Sequence, residues 1–344
     1  MEAGVSCVVP VKNGALWIAD VIERVLDQEL DLPLEVVVVE DGSTDGSAAI
    51  LASFSDHPMV RIIPGGRRGA AAAINHGIRE ARFSLIAQVD QDVLLEPGWM
   101  ASLVAELDDP QVAGAQGYYA TDPRAPIWAR IAGYDLEHRY GRIRSSEVNH
   151  ICTGNSIYRT EAVHKVGGFD ESIGYGYDND MSYRLTGAGY HLRFVPHARS
   201  IHRWRETMAG YLRQQYGQGY GRLDLVTRHP HRVAGDHVSG LSMILHVPAT
   251  FAAVLALATS LLLAITGGPW LWPAAAAGTL VAAMLAERLT ASLSIARRIG
   301  DPAALLIAPA HLLRNLAWVA ASVTWGWRRL VRRGSRPQHS MRAR

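Results

Sequence analysis

The sequence predicts an α/β domain, a buried parallel sheet covered by helices, followed by a carboxyl-terminal region of membrane helices. Two observations carry this. Up to about residue 240, short apolar strands alternate with amphipathic segments in the rhythm of βαβ units. Beyond it, "LSMILHVPATFAAVLALATSLLLAITGG" (241–268) contains no Asp, Glu, Lys or Arg. A run of that length can cross a hydrocarbon core, which needs about 20 residues.

The 344 residues are 49% hydrophobic, which suits a folded chain. A formal net charge of +2 is too small for nucleic-acid binding by bulk electrostatics, so no nucleic-acid partner is expected. The charge is unevenly spread, with seven arginines in the last 17 residues. Two cysteines, Cys7 and Cys152, make no disulfide framework and read as small buried hydrophobes rather than reactive thiols. The opening "MEAGVSCVVPV" lacks a basic segment ahead of an apolar core, so no signal peptide is expected and the amino-terminal part is placed in the cytoplasm.

Element by element, "VSCVVPVKNG" (5–14) reads as a strand entering a loop, and "LWIADVIERVLDQ" (16–28) as a helix from the spacing of its apolar residues. "LEVVVVEDGSTDGS" is a second strand; four consecutive valines imply burial on both faces, and the acids and turn formers after them mark its end. "AAILASF" is its helix, "VRIIP" (60–64) a third strand, "GAAAAINHGIREAR" (69–82) a helix, and "FSLIAQVDQD" (83–92) a strand ending on two acids. Ligands of open α/β sheets bind at the carboxyl ends of strands, where Asn13, Asp41, Asp90 and Asp92 stand. The first loop, "PVKNGA", lacks G-x-G-x-x-G, and no Walker motif occurs, which argues against an NAD enzyme and a P-loop nucleotidase. Asp90-Gln91-Asp92 can bring two carboxylates to one divalent cation, Mn²⁺ or Mg²⁺, whose remaining positions take phosphate oxygens.

In the membrane region, "PWLWPAAAAGTLVAAMLA" (269–286) is a second uncharged run, joined to the first by Gly-Gly-Pro with Trp270 and Trp272 at interfacial depth. The alternative, a buried soluble hairpin, lacks enough remaining chain to cover it. The third run, "AALLIAPAHLLRNLAWVAASVTWGW" (303–327), contains His311, Arg314 and Asn315, and a charge at mid-bilayer costs at least ~2.5 kcal/mol. Arg288, Arg297, Arg298 and the tail belong on the cytoplasmic side by the positive-inside rule. Two spans plus an interfacial or re-entrant third segment are therefore favoured over three spans. The expected domains are 1–205 catalytic, 206–240 juxtamembrane and basic, 241–327 membrane, and 328–344 a basic cytoplasmic tail.

Over about residues 5–205, "VVPVKNG", "VVVVEDGSTDGS", "RRGAAAAINHGIREA", "VDQDV", "TGNSIYRTEAVHKVGGFDES" and "YDNDMSYRLTGAGYHLRFVP" together resemble the inverting family-2 glycosyltransferases of the GT-A fold. The resemblance implies a nucleotide-sugar-binding, Rossmann-like GT-A domain. It implies that Asp41 contacts the uracil of a UDP-sugar, that Asp92 holds the metal on the diphosphate, and that Pro10, Asn13, Arg68 and Asp90 lie on the donor side. Arg67 and Arg68 are otherwise solvated surface charges. "GYGYDNDMSYRL" matches the pattern G-E-D-x-D-L, which makes Asp178 the catalytic base and Asp180 an acceptor-side residue; Tyr177 replaces the usual Glu. Helix N-capping is the plainer role for Asp178 and Asp180. His202 in "HARSIHRW" falls where many members place a histidine near the metal, and is otherwise structural.

"GYLRQQYGQGYGRLDLVTRHPHR" (210–232) resembles a stretch of exopolysaccharide-type membrane enzymes such as the succinoglycan glucosyltransferases, which implies that Arg213 and Gln214 contact a lipid-linked acceptor. The expected activity is metal-dependent, inverting transfer of a sugar, glucose being one option, from a UDP-sugar to a lipid-linked saccharide at a bacterial-type inner membrane. A polyprenyl-phosphate sugar synthase and a non-catalytic nucleotide-sugar sensor or scaffold are the alternatives.

Overall fold

The computed structural model describes residues 1–233, 238 and 240–334, the side chains of 332–334 excepted. The rest of the predicted basic tail and part of the predicted juxtamembrane segment lie outside these residues. The strands are β1 (Glu2–Val11), β2 (Leu34–Glu40), β3 (Val60–Pro64), β4 (Phe83–Val89), β5 (Val93–Leu95), β6 (Val112–Ala120), β7 (Glu147–Val148), β8 (Asn155–Arg159) and β9 (His191–His202). Between them run α1 (Ile18–Leu26), α2 (Ser47–Ala52), α3 (Ala70–Glu80), α4 (Trp99–Ala105), α5 (Ile127–Tyr140), α6 (Thr160–Lys165) and α7 (Tyr177–Gly187). The chain continues through α8 (Met208–Arg228), α9 (Leu241–Thr266), α10 (Leu271–Ile299) and α11 (Ile307–Gly334).

The sheet order is β3-β2-β1-β4-β8-β6-β9-β5, with β7 paired to β9. Its first half is parallel as expected, and Val36–Val39 of β2 are fully buried between β1 and β3. Fully burying a valine side chain contributes ~1.5–3 kcal/mol, so this run anchors the sheet and fixes where the loop after it emerges. The second half departs from the expected parallel sheet. β8 runs antiparallel to both β4 and β6, and β5 and β7 run antiparallel to β9. A parallel neighbour needs a crossover, whereas β8 returns from a long excursion that carries α5 and enters the sheet from the opposite end.

Among the described residues three helices, α9, α10 and α11, are long and apolar enough to cross a membrane. The second exceeds its uncharged run: α10 continues through Glu287 and Arg288 to Ile299. The third is one unbroken helix, not a broken re-entrant segment. Its polar residues are buried, with His311 at 1%, Arg314 at 4% and Asn315 at 1% exposure. They face the α/β domain. His311 Nε2 lies 3.3 Å from Asp135 of α5, Trp318 Nε1 donates to Gln215 of α8 at 3.2 Å, and Trp325 Nε1 donates to Asp224 of α8 at 2.8 Å. Asp301, just before α11, accepts from Arg130 Nη1 at 2.6 Å and Tyr134 OH at 2.8 Å. In contrast, Leu316, Val323, Trp327, Leu330 and Val331 of α11 are exposed.

Close packing of α8 explains its glycines. A Cβ on Gly219 would sit 3.0 Å from the Trp318 ring, and one on Gly217 would sit 2.3 Å from the Tyr175 ring. On Gly221 it would lie 2.3 Å from the Tyr175 carbonyl oxygen, a backbone atom that cannot turn aside. The "GQGYG" stretch thus seats α11 on one side and the loop before α7 on the other.

Candidate active site

The site is built where β4 ends. Gln88 Nε2 donates to Asp90 Oδ1 at 2.9 Å, while Gln88 Oε1 accepts from the Gly154 amide, tying the acid to the turn before β8. Gly154 has φ +85°, and a Cβ there would lie 2.5 Å from Asp90 Oδ2, so only glycine lets this turn close over the carboxylate. The middle residue of the acid pair serves another purpose. Gln91 Oε1 accepts from the Lys12 amide at 2.7 Å and its Nε2 donates to the Lys12 carbonyl at 3.0 Å, which fastens the loop after β1 to the loop after β4.

Asp92 sits beside His202 of β9, with 3.9 Å between Asp92 Oδ1 and His202 Nε2, longer than a hydrogen bond. Burial, then the Asp92 charge, push Asp90 up to about 6. Burial pushes Asp92 up to about 6 against the Arg205 guanidinium, and pushes the His202 imidazole down to about 4. His202 is stacked on Trp204 at 3.8 Å between ring centroids. A neutral imidazole thus faces two carboxylates that are costly to ionise without a counter-charge.

Among the described residues, no three or more His, Cys, Asp or Glu side chains form a preformed metal site. Two carboxylates with a neutral imidazole nevertheless suit a divalent cation that takes its other ligands from a diphosphate, as Mg²⁺ and Mn²⁺ commonly do.

Asp178 reaches the same cavity from the first turn of α7, where the aligned peptide dipoles favour its charged form. The cap itself is Gly176 in the left-handed region, so neither Asp178 nor Asp180 plays the N-cap role. Asp178 Oδ1 accepts from the Asn179 amide at 2.9 Å. Burial raises its carboxyl above the usual aspartate range, opposed by the neighbouring His150. Tyr177, in place of the family's Glu, lies on the cavity wall with its ring edge-on to Phe169 at 5.9 Å.

The cavity has a volume of about 390 Å³ and brings together Asp90, Asp178 and His202. Its far wall is α8 and α11, through Gln214, Gln215, Gln218, Arg222, Arg314 and Trp318. Asp180 is not on it: the carboxylate is buried between Arg184 Nε at 2.8 Å and His229 Nε2 at 2.9 Å, a brace joining α7 to the end of α8. Nor is Arg213, which is exposed, whereas its neighbour Gln214 lines the wall. Consecutive helical residues point about 100° apart, so one residue of this pair faces inward.

Of the donor-side residues only Asp90 lines this cavity; Pro10, Asn13 and Asp41 lie at the ends of β1 and β2 and Arg68 in the loop before α3. Asp41 is 3% exposed and accepts from the Arg68 amide at 3.1 Å and the Gly69 amide at 3.0 Å, fixing the loop before α3. Each oxygen keeps a lone pair for a further donor. Asn13, at φ 56°, accepts through Oδ1 from the Thr44 amide at 2.8 Å and so braces the two strand-end loops. Pro10 is paired in register with Val39. The Arg68 side chain is half exposed, 3.4 Å from Glu171, and Arg67 takes the left-handed φ of 60°. Cys7 is buried in the core, and Cys152 lines the cavity.

Sequence reasoning gave no individual role to Gln88, Gly154, His150, Gln215, Gln218, Arg222 or Trp318, although Gly154 lies inside "TGNSIYRTEAVHKVGGFDES" and Gln215, Gln218 and Arg222 inside the 210–232 stretch, and it read Arg314 only as a charge within the third apolar run. The Tyr175 loop gives a test. Gly221→Ala should displace it, cost ~1–3 kcal/mol by overpacking, and lower kcat more than donor affinity; thermal denaturation with steady-state kinetics reads both.

The mixed sheet, with Asp90 and Asp92 at the end of β4 and Asp178 on the same cavity as Asp90, fits a GT-A glycosyltransferase fold, and comparisons with known proteins agree. Residues 6–167 match the family described as Glycosyl transferase family 2. The match takes in a little under half of the chain. The chain is 28% identical over 277 residues to a pre-mycofactocin glycosyltransferase of Mycobacterium tuberculosis, covering 77% of this chain and 56% of that protein. It therefore spans little more than half the length of that relative. It is 26% identical to the succinoglycan biosynthesis protein ExoA of Rhizobium meliloti over 94% of both chains. Among solved structures, a mannosyltransferase of Pyrobaculum calidifontis, determined with GDP-Man and Mn²⁺, superposes with a TM-score of 0.60 at 21% identity, covering 95% of this chain and 88% of that one.

Proposed function

We propose that the protein is an inverting glycosyltransferase that moves a sugar from a UDP-sugar to a lipid-linked saccharide at the cytoplasmic face of a bacterial-type inner membrane. The observation that carries this reading is one cavity whose near wall is Asp90, His202 and Asp178 and whose far wall includes the apolar helix α11. The donor sits at the ends of β1, β2 and β4, with Asp41 and the Arg67-Arg68 loop towards the nucleoside, while Asp92, Asp90 and His202 face the diphosphate. A divalent cation held there with the diphosphate would neutralise charge on the leaving group.

Asp178 removes the proton of an acceptor hydroxyl as its oxygen attacks the anomeric carbon opposite the departing diphosphate. The bond from that carbon to the diphosphate oxygen breaks, and a single displacement inverts the configuration. The transition state is oxocarbenium-like, as in glycoside hydrolysis. A base raised by burial above the ordinary aspartate range suits a neutral hydroxyl better than a phosphate acceptor, which is already ionised. This favours saccharide transfer over polyprenyl-phosphate sugar synthesis. Partial burial of three acids is costly for a sensor or scaffold and supports catalysis.

The packing of α11 against α5 and α8 supports its lying at the interface beside the catalytic domain, with α9 and α10 as the two spans. Arg297 and Arg298 then fall on the catalytic side, as the positive-inside rule asks.

Two measurements test the reaction. NMR of the product should show a β-linkage from an α-linked donor; retention would sink the single-displacement scheme. Because Asp178 must be ionised, kcat should fall as pH drops through its raised pKa, at a pH above the ordinary aspartate value. An acid limb at the ordinary aspartate pKa would speak against it.

A further inference from the structure

Beside the main cavity, against α9, lies a smaller space lined by Ile244 and Val247, which shares Arg222, Met243, Arg314 and Trp318 with the main cavity. The main cavity has a mixed lining, polar where three glutamines of α8 stand on its wall; the smaller one is apolar apart from the two arginines. A guanidinium stands where one becomes the other.

Arg314 is buried, and its hydrogen bonds run to a neutral neighbour, Asn315 Oδ1, at 3.2 Å from Nε and 2.9 Å from Nη2. Asp135, the acid on the same cavity wall, has its oxygens on Arg139 at 3.1 Å and His311 at 3.3 Å. Arg222 is held in place, donating through Nη2 to the Arg232 carbonyl at 2.8 Å. A buried guanidinium is stable when an oxyanion meets its planar donor fork, and Arg is the side chain suited to bidentate phosphate binding.

The succession of polar wall, fixed positive charge and apolar slot is that of an amphiphile with a saccharide head, a phosphate and a hydrocarbon tail. We propose that Arg314 of α11, with Arg222 of α8, binds the phosphate or diphosphate of a prenyl-type lipid whose chain leaves along Met243, Ile244 and Val247 and whose head group reaches towards Asp178. The inference rests on the glycosyltransferase reading and deepens it: α11 is part of the acceptor site. A cavity of about 390 Å³ holds a sugar ring and a phosphate together.

The test uses the full chain in detergent with the donor end saturated by UDP and Mn²⁺, and titrates farnesyl diphosphate, farnesol and inorganic pyrophosphate by calorimetry. Farnesyl diphosphate should bind at least tenfold more tightly than either part alone. Arg314→Gln and Arg222→Gln should each weaken it at least tenfold, and Arg314→Lys less. UDP affinity, measured separately, reports whether each variant is folded, and using both sites keeps the test open if the buried Arg314 variant fails to fold. Unchanged binding in both glutamine variants overturns the proposal. Pyrophosphate binding as tightly as farnesyl diphosphate makes this a free-phosphate site, and equal binding of farnesol leaves only the apolar slot; either result also overturns it. A wild-type chain that binds UDP but not farnesyl diphosphate refutes this inference alone, whereas one that binds no nucleotide and transfers no sugar refutes the glycosyltransferase reading itself.

Discussion

Asp178→Asn is expected to lower sugar transfer by ~10²–10⁴-fold, the usual contribution of a positioned general base, while leaving donor affinity nearly unchanged. The amide keeps the size of the side chain and can accept the same hydrogen bond from the Asn179 amide, so the first turn of α7 stays in place. What it loses is the lone pair basic enough to take a proton. Turnover with acceptor present and UDP binding by calorimetry separate the two effects. Full transfer by the variant would remove Asp178 from its role. A parallel loss of donor binding would make it a donor residue.

Asp92→Asn is expected to abolish metal-dependent donor binding, a loss exceeding the ~10–100-fold typical of an outer-shell partner. The same variant should be more stable than the parent at neutral pH. The sign follows from the direction of the shift. Asp92 is raised by burial to about 6 in the fold, so the stabilisation that comes from protonating it is present below the unfolded value near 4 and lost as pH rises through 6. At pH 7 the ionised acid is a cost, and an amide removes it. A variant inactive yet higher in Tm at pH 7, with that advantage shrinking towards pH 4, identifies a residue kept for function against stability. A lower Tm at both pH values would assign Asp92 a structural role.

The parallel half of the sheet was readable because each strand is a local run of β-branched residues closed by turn formers, and β3 begins and ends where its pattern does, Val60–Pro64. The antiparallel half was not. The pairing of β8 with β4 and β6 joins segments separated by dozens of residues, and no local period records it. The same division runs through the site. Asp90 and Asp92 announce themselves at a strand end, and Asp178 through its motif, but His150 and Gln218 come from separate elements that tertiary packing brings to one cavity, and Gly154 from the turn that closes over Asp90. Arg314 read in sequence as a burden on a membrane span; in the fold it lies on the cavity wall beside α8. The motif resemblance implied an acceptor-side role for Asp180, yet its side chain is taken up by Arg184 and His229.

The most direct test of a metal-dependent glycosyltransferase is nucleotide release by the detergent-purified chain across UDP-, GDP- and dTDP-sugars, with membrane lipid extract, in Mn²⁺ and then in excess EDTA. Release from a UDP-sugar in Mn²⁺, its loss in EDTA and its absence in Asp178→Asn are expected. Release that survives EDTA, or none from any donor, would contradict that reading.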